Sequence, residues 1–223
     1  MYMSRIALNR RRRGAMKLLG NRHAMHAAVM AAFAPGTATD TDDGRVLWRV
    51  DSHADDVELL IVSPSEPCLA HIVDQAGWTT TTPWATRDYE PFLASLRTGD
   101  EYVFRINANP THRMSLPDGS KQIVGHVTDA YQREWFTERS RTNGFELVSS
   151  TVDGSADERT ELVVRERDTA VFKRGGGKVT LVTASFEGRL RVTDVDQLRH
   201  ALTHGIGRAK GYGCGLLTLL PVA

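Results

Sequence analysis

The order of predicted secondary-structure elements occurs twice along the chain, and this repetition is the feature that most constrains the fold. In the first half, alternating apolar residues and helix-capping signals predict strand, helix, strand, strand and helix, with a candidate final strand. The second half repeats this order, from the strand Glu101–Ala108 to the strand Leu216–Leu220. The two halves share negligible sequence identity, so the repeat lies in the pattern alone.

A doubled strand–helix–strand–strand–helix–strand order is typical of two ferredoxin-like domains in tandem. We therefore predict an α+β protein with two tandem ferredoxin-like (RRM-like) βαββαβ domains. The stretch 77–99 is less regular and contains two prolines and Gly99, so we expect the domain junction there. The predicted domains are residues 1–92 and residues 100–223.

Local signals place the individual elements. Asn21 is expected to cap a helix that Pro35 and Gly36 end, and a basic loop is expected before it. The first half is predicted to contain strand Tyr2–Asn9, helix Arg22–Ala34, strands Arg45–Val50 and Val57–Val62, and helix Cys68–Gln75. The second half is predicted to contain strand Glu101–Ala108, a polar loop Thr111–Gly125, helix Thr128–Arg141, strands Phe145–Val152, Glu161–Arg167, Ala170–Lys173 and Lys178–Phe186, helix Val195–His204, and strand Leu216–Leu220.

The distribution of charge along the chain is more informative about possible phosphate binding than the net charge, which is only +1. The first 39 residues contain seven basic residues and no acidic one, and the segment after Asp196 contains three basic residues and no acidic one. If the two termini meet in space, they form a positive surface on a nearly neutral protein. Phosphate binding depends on such local charge rather than on the total.

The N-terminus also invites comparison with a twin-arginine secretory leader, because four arginines precede an apolar segment. Against this interpretation, Tyr2–Leu8 has the pattern of a strand, and the supposed apolar segment carries Arg22, His23 and His26. No apolar run approaches the roughly 20 residues that span a bilayer. The two cysteines match no metal-ligand spacing, so we expect thiols in a reducing cytoplasm and a cytoplasmic protein.

A glycine-rich loop near the C-terminus is the most conspicuous motif. Five glycines fall within 11 residues: Gly205, Gly207, Gly211, Gly213 and Gly215. Such a loop implies positive φ angles or close backbone approach, and its amide groups can bind phosphate with help from Arg208 and Lys210. A tight structural turn is the alternative. A dinucleotide site is disfavoured because this loop follows a helix, whereas a dinucleotide loop follows a strand.

Five sequence blocks, in order and at family spacing, together resemble the CRISPR-associated endoribonuclease family CasE. The blocks are Tyr2–Asn9, the helix segment ending in Met25-His26, the strand Phe104–Pro110, the segment Phe186–Leu190, and the closing Gly205–Leu217. The resemblance implies two ferredoxin-like domains that bind the stem-loop of a CRISPR repeat RNA. It also implies a cut at the 3′ base of the stem without metal, after which the enzyme retains the mature guide RNA within the Cascade complex.

The resemblance identifies His26 as the catalytic histidine, and His23 stands where some relatives have tyrosine. Metal-free RNA cleavage uses the neighbouring 2′-hydroxyl as nucleophile and needs a proton acceptor, a proton donor and positive charge near the phosphate. Imidazole suits proton transfer because its unperturbed pKa is about 6.5. His23 could share this work or be a bystander. A histidine pair three residues apart could instead bind metal, but no Cys, Asp or Glu lies nearby in sequence.

RNA-binding residues are predicted in three regions, and no cofactor or metal is expected. The hairpin around the glycine triplet 175–177 resembles the basic hairpin by which relatives grip the RNA stem, and a solvated turn is the alternative. The residues predicted to bind RNA are Arg10, Arg11, Arg12, Arg13, Arg22, Lys173, Arg174, Lys178, Arg208 and Lys210.

Two other functions remain open at this point. The first is a non-catalytic module on the same fold that binds an RNA hairpin without cutting it. The second is a metabolic enzyme that uses the glycine-rich loop to bind a nucleotide. Cleavage of repeat RNA in excess EDTA would separate the endoribonuclease from both alternatives.

Overall fold

The structure is a computed structural model that describes residues 1–53, 56–78, 84–151, 158–174 and 177–222. For residues 53, 151, 158, 172–174 and 177–179 it describes the backbone alone. Contacts divide the chain into two compact units. The first unit comprises Met1–Leu96, Thr203–Gly205 and Lys210–Leu216, and the second comprises Arg97–Leu202, Ile206–Ala209 and Leu217–Ala223. The domain limits 1–92 and 100–223 stay predictions.

The first unit is built on one antiparallel sheet of four strands. Its elements are β1 (Tyr2–Leu8), α1 (Arg13–Leu19), α2 (Arg22–Met30), β2 (Asp40–Thr41), β3 (Gly44–Arg45), β4 (Leu47–His53), β5 (Asp56–Ser63), α3 (Ala70–Ala76), β6 (Trp84–Asp88) and α4 (Glu90–Ser95). The strand order is β4–β5–β1–β6, and Ile6 of β1 pairs with Leu59 on one side and Trp84 on the other.

Alternation along β1 explains how this sheet buries one face. Ile6 and Leu8 are buried, whereas Arg5 and Ala7, which alternate with them, are exposed, as expected for a strand with period two. Met25 and Val29 of α2, four residues apart, pack into the same apolar core. The buried stripe thus holds α2 against the sheet and leaves its other side accessible.

Two predictions near the N-terminus were wrong. The expected basic loop contains helix α1, which packs its buried Ala15 into the core and approaches α3 closely. A Cβ at Gly14 would lie 2.1 Å from the backbone oxygen of Gln75, so only glycine fits there. Helix α2 ends at Met30 and not at Ala34, although Ala32 and Phe33 are buried beyond its end. Buried apolar residues continue past the end of the helix, so the sequence pattern predicted a longer helix than the structure has.

The second unit repeats the topology with longer strands. Its elements are β7 (Glu101–Ala108), β8 (Thr111–Ser115), β9 (Lys121–Gly125), α5 (Asp129–Arg141), β10 (Phe145–Leu147), β11 (Ser149–Thr151), β12 (Glu158–Thr160), β13 (Leu162–Arg174), β14 (Gly177–Val192), α6 (Val195–His204) and β15 (Leu217–Pro221). Strand β14 pairs with β7 on one side and with β13 and β10 on the other, and β15 pairs with β7. Both units therefore have the ferredoxin-like order, which confirms the predicted α+β fold class.

The region between β7 and α5 differs from the prediction, and so does β13. The segment predicted as a polar loop is the hairpin β8–β9, in which Thr111 pairs with Gly125. The two strands predicted between Glu161 and Lys173 are the single strand β13, whose register shifts between Arg165 and Asp168. Glu166 lies within that shift with φ 49°. A bulge of this kind interrupts the alternation, so one strand resembles two.

Among the described residues, no helix is long and apolar enough to cross a membrane.

The core of the second unit is dominated by phenylalanine rings between sheet and helix. Phe104 and Phe136 stack with ring centroids 5.3 Å apart, and Phe136 stacks on Phe186 at 4.7 Å. These rings are essentially inaccessible to solvent.

Replacement of Phe104 by alanine tests this core. Loss of the ring should leave a cavity and lower the free energy of unfolding by about 3–5 kcal/mol. Val103 is the adjacent residue on the opposite face of β7 and is 42% exposed, so Val103→Ala should change the free energy by at most about 0.5 kcal/mol. Chemical denaturation of the two variants measures both values. Similar losses in both would contradict the assignment of faces.

Candidate active site

Helix α2 carries both candidate catalytic histidines. The side chain of Asn21 accepts hydrogen bonds from the backbone N–H groups of His23 and Ala24, which caps the helix at its N-terminus. Met25 is buried and anchors the helix, and its neighbour His26 is half-buried at the edge of the core. His23, one turn earlier, is exposed. The helix thus presents the exposed imidazole of His23 at the protein surface and the half-buried imidazole of His26 one turn further along.

The glycine-rich loop passes directly beside His26. A Cβ placed on Gly211 would lie 3.6 Å from Cε1 and Nε2 of the imidazole and 3.8 Å from Nδ1. Gly211 is the middle residue of a short 3₁₀-helix, Lys210–Tyr212. The structure therefore brings together two features that the sequence separates by 185 positions, the histidine of α2 and the backbone of the loop.

Two arginines fasten the loop within the first unit. Nη1 of Arg22 donates a hydrogen bond to the carbonyl oxygen of Tyr212 at 2.9 Å. Nη1 of Arg49 donates to the carbonyl oxygen of Leu216 at 2.8 Å, and the same guanidinium forms two hydrogen bonds of 2.7 and 2.8 Å with the carboxylate of Asp51. Arg49 and Asp51 are both buried, so loss of either partner would leave an uncompensated charge.

Gly205 and Gly213 of the loop are required both by the backbone conformation and by the side chains that lie against them. Gly205 and Gly213 have φ 77° and 76°, in the left-handed region that disfavours other residues. A Cβ on Gly213 would lie 2.6 Å from the Trp48 ring, and one on Gly205 would lie 2.8 Å from Leu47. Gly215, at φ 93°, has the same backbone requirement.

Gly211 differs from these glycines. Its φ lies outside the left-handed region, and a Cβ there would meet the imidazole of His26 at ordinary van der Waals distance. The folded chain therefore does not need glycine at this position. The absence of a side chain at Gly211 leaves room for a methyl-sized group beside the imidazole.

Lys210 directly precedes Gly211 in the loop and carries a positive charge. It is half-buried, and burial lowers the pKa of its ammonium group. Arg45 lowers the pKa further, whereas Asp40 opposes the shift. A partly desolvated lysine is a stronger electrostatic partner for an anion than one in open solvent. The neighbouring Cys214 has no such role, because complete burial raises the pKa of its thiol to about 12.

The basic residues after β1 differ in their contacts. Arg10, Arg11 and Arg13 are exposed. The guanidinium of Arg12 donates to the carbonyl oxygens of Val73 and Gly77, at 3.0 Å each, and to that of Asp74, and so satisfies the C-terminal end of α3. Sequence reasoning grouped Arg12 with its neighbours because nothing in the sequence distinguishes the four arginines.

The other predicted RNA-binding residues lie in the second unit. Strands β13 and β14 pair as far as Arg174 and Gly177, so the expected hairpin is present in the backbone. Its turn residues, Gly175 and Gly176, and the side chains of Lys173, Arg174 and Lys178 fall outside the described part of the chain. Arg208 is exposed, and Gly207 beside it has φ 80°.

The groups at His26 can transfer protons and hold an anion. Within the described residues, no cluster of three or more His, Cys, Asp or Glu residues could hold a metal ion.

The sequence did not reveal the buried Arg49–Asp51 pair that helps to hold the loop. Their spacing of two along β4, which puts both on one face, was the available signal.

Alanine at two positions of the loop should have opposite consequences for stability. Gly213→Ala forces a left-handed residue against Trp48 and should lower the free energy of unfolding by about 2 kcal/mol or more. Gly211→Ala should leave it unchanged or raise it by about 0.5 kcal/mol, because the backbone there suits alanine. Thermal unfolding measures both. Equal destabilisation at the two positions would contradict the distinct role of Gly211.

Comparison with known proteins assigns the chain to a family. A family model described as CRISPR associated protein matches residues 1–221. A relative from Thermus thermophilus, named CRISPR-associated endoribonuclease Cse3, is 25% identical over 99% of this chain and all of its own length.

Solved structures of similar fold match this chain over nearly its full length. The structure of CRISPR endoribonuclease Cse3 bound to 19-nucleotide RNA is 24% identical, with a TM-score of 0.78 over 99% of this chain and 100% of that one. A chain of a CRISPR RNA-guided surveillance complex in its pre-nicking state is 26% identical, with a TM-score of 0.64 over 100% of both chains. The family match over nearly every residue, on the same fold, shows that this chain belongs to the CRISPR associated protein family.

Proposed function

We propose that the protein is a metal-independent endoribonuclease that binds the stem-loop of a CRISPR repeat RNA and cuts at the 3′ base of the stem. The observation that carries this proposal is the position of His26, whose imidazole lies beside Gly211, within 4 Å of where a Cβ of that residue would stand. Membership of the family supports it, as does the name of the Thermus thermophilus relative, which is an endoribonuclease.

The reaction needs no group beyond those of the protein and the RNA. The 2′-hydroxyl oxygen attacks the adjacent phosphorus while its proton passes to a base, and the bond from phosphorus to the 5′-oxygen breaks as that oxygen receives a proton. The products are a 2′,3′-cyclic phosphate and a 5′-hydroxyl. Proton transfer of this kind contributes typically ~10²–10⁴-fold to the rate.

We assign His26 to proton transfer at the scissile phosphate. The ring is half-buried and lies against the loop, which limits its orientations. Lys210 and the backbone amides of the loop would then stabilise the charge that develops on the phosphate oxygens. His23, exposed one turn earlier on the same helix, would orient the 2′-hydroxyl or share the proton transfer.

Binding of the stem would use positive groups on both units. Arg10, Arg11 and Arg13 are exposed and suited to phosphate contacts, as is Arg208. Arg12 and Arg22, whose guanidinium groups also donate to backbone carbonyl oxygens, would contribute positive charge. The hairpin residues Lys173, Arg174 and Lys178 complete the proposed surface, since duplex RNA is recognised largely by shape and backbone.

After cleavage we propose that the enzyme retains the mature guide RNA and joins a Cascade surveillance complex. The likeness to a chain of a CRISPR RNA-guided surveillance complex supports this step. We propose that these events occur in the cytoplasm, where cysteines stay reduced. No cofactor or metal takes part in the proposed reaction.

Cleavage by His26→Ala tests the assignment. In excess EDTA the wild-type protein should cut the repeat RNA once, whereas His26→Ala should bind the same RNA with unchanged affinity and cut it at least ~10²-fold more slowly. His200, an exposed histidine of α6, provides the matched control, and His200→Ala should cut at the wild-type rate. Single-turnover gel assays measure the rates.

Two outcomes would contradict the proposal. Full activity of His26→Ala would remove this residue from the mechanism. An RNA that the wild-type protein binds tightly but leaves uncut under every condition would favour the alternative, a non-catalytic module that binds RNA hairpins.

A further inference from the structure

Two adjoining cavities lie in the second unit, and none of the residues that line them is assigned to catalysis. They have volumes of about 340 and 490 Å³, within the usual range of ligand pockets. Both are lined by His112 and Trp135, so they share a wall. The smaller one is lined in addition by basic residues, and the larger one by aromatic and acidic residues.

The larger cavity contains a ladder of three rings. The ring centroids of His112 and His126 are 4.4 Å apart, and those of His126 and Tyr131 are 5.7 Å apart, with interplanar angles of 33° and 34°. Tyr131 at the end of the ladder is 58% exposed, which is unusual for so large a ring. The ladder therefore ends in an aromatic face that is open to a further ring.

The backbone holds this ladder in place. The N–H group of His126 donates to the carbonyl oxygen of Pro110 at 2.9 Å, and the carbonyl oxygen of His126 accepts from Nε2 of the buried Gln132 at 2.7 Å. His112 lies on β8 of the adjoining hairpin, and Tyr131 lies on the first turn of α5. A strand and a helix thus supply two of the rings, and backbone hydrogen bonds hold His126 in the connection between β9 and α5.

The imidazole in the middle of the ladder favours the neutral form. Burial lowers the pKa of His126, and the nearby His112 lowers it further, whereas Glu134 and Glu138 oppose the shift. A neutral ring next to another imidazole avoids repulsion between like charges.

The smaller cavity is suited to an anion. It is lined by the side chains of Arg113, Arg139 and Arg208 and by the backbone of Gly207. Arg139 lies over the indole of Trp135, with Cζ 5.7 Å from the ring centroid. A Cβ on Gly207 would lie 3.2 Å from the indole edge, so glycine allows the loop to bring Arg208 to this wall.

A buried donor marks the wall between the cavities. Trp135 is only 5% exposed, and its Nε1 has no hydrogen-bond partner among the described residues. A buried indole N–H usually finds a partner, and its lack of one costs free energy. No described residue supplies that acceptor, and the Trp135 residue lines both cavities.

We propose that the two cavities bind one unpaired guanosine nucleotide of the RNA, with its base stacked on the exposed ring of Tyr131 and its phosphate in the arginine-lined cavity. This inference rests on the proposed function, because it takes RNA as the ligand. Unpaired bases that stack on aromatic side chains are the usual means of sequence-specific RNA recognition. Arginine is suited to the phosphate because its planar guanidinium can form two parallel hydrogen bonds.

The acidic residues select the base. Glu134 and Glu138 line the larger cavity, and ionised carboxylates only accept hydrogen bonds. Guanine presents two adjacent donors on its Watson–Crick edge, N1–H and the N2 amine, which match the two oxygens of one carboxylate. Uracil presents a single donor between two acceptors and fits poorly.

The test uses three hairpin RNAs that share the stem of the repeat. Each carries a single unpaired guanosine, in the 5′ flank, the loop or the 3′ flank, and all other unpaired nucleotides are uridine. The guanosine is then replaced by inosine, which lacks the N2 amine, or by uridine. Fluorescence anisotropy should show that the full-length protein prefers guanosine in one of the three positions, with roughly tenfold weaker binding of inosine.

Variants assign that preference to the cavities. Tyr131→Ala should weaken binding of the preferred RNA roughly tenfold, in the range measured for stacking of one base, and should abolish the preference for guanosine. Trp78→Ala removes an aromatic ring of the first unit that is 42% exposed and should retain the preference. Arg139→Ala should weaken binding, whereas Arg141→Ala, at an exposed position of the same helix, should not.

The outcomes separate this inference from the proposed function. Equal binding of guanosine, inosine and uridine hairpins, or a preference that survives Tyr131→Ala, would overturn the guanosine site while RNA cleavage stands. A preference that disappears in Tyr131→Ala supports the site even if the wild-type protein leaves the RNA uncut, a result that contradicts the proposed function alone. Failure to bind any hairpin would contradict both.

Discussion

The attachment of the C-terminal loop to helix α2 is the constraint on which the candidate site depends. Hydrogen bonds from Arg22 and Arg49 to carbonyl groups of the loop help to hold the backbone of Gly211 against His26. Arg49 can serve this purpose in the interior only because Asp51 neutralises it there. The buried pair Arg49–Asp51 on β4 therefore helps to position the loop backbone beside His26, which lies on α2.

The chain has 28 basic and 27 acidic residues, and in the second unit many of these charges are paired with one another. Arg105 is paired with Glu187 at 3.0 Å, and Arg189 is paired with Glu101 at 2.5 Å across neighbouring strands. Hydrogen bonds from Arg191 and Arg189 lower the pKa of Glu101. Much of the basic content thus stabilises the sheet in pairs, and the candidates for phosphate binding are residues outside these pairs, such as those that follow β1.

Periodicity predicted the regular parts of the fold and could not predict its interruptions. Strand β7 and helix α6 were predicted to the residue, because alternation and an amphipathic stripe run through them without a break. Helix α1 was missed because consecutive arginines hide its two buried residues. The hairpin β8–β9 was missed because most of its side chains are exposed, so it lacks the alternation that marks a half-buried strand.

The candidate site was predictable in its residues and not in its geometry. The family resemblance pointed to His26 and to the glycine-rich loop, but no spacing in the sequence says that they meet. The sequence also could not distinguish Gly213, where the backbone conformation requires glycine, from Gly211, where it does not. That distinction depends on the φ angle and on what a side chain would touch, and both come from tertiary structure.

The central claim is that an imidazole on α2 acts on a phosphodiester whose own 2′-hydroxyl is the nucleophile. The most direct test is the rate of cutting of a repeat RNA with a single 2′-deoxy substitution on the nucleotide 5′ to the scissile phosphate, in excess EDTA. The account predicts that this RNA binds as tightly as the unmodified one and stays intact, while the unmodified RNA yields a 2′,3′-cyclic phosphate. Cutting of the deoxy-substituted RNA, or a 3′-hydroxyl product from the unmodified RNA, would contradict it.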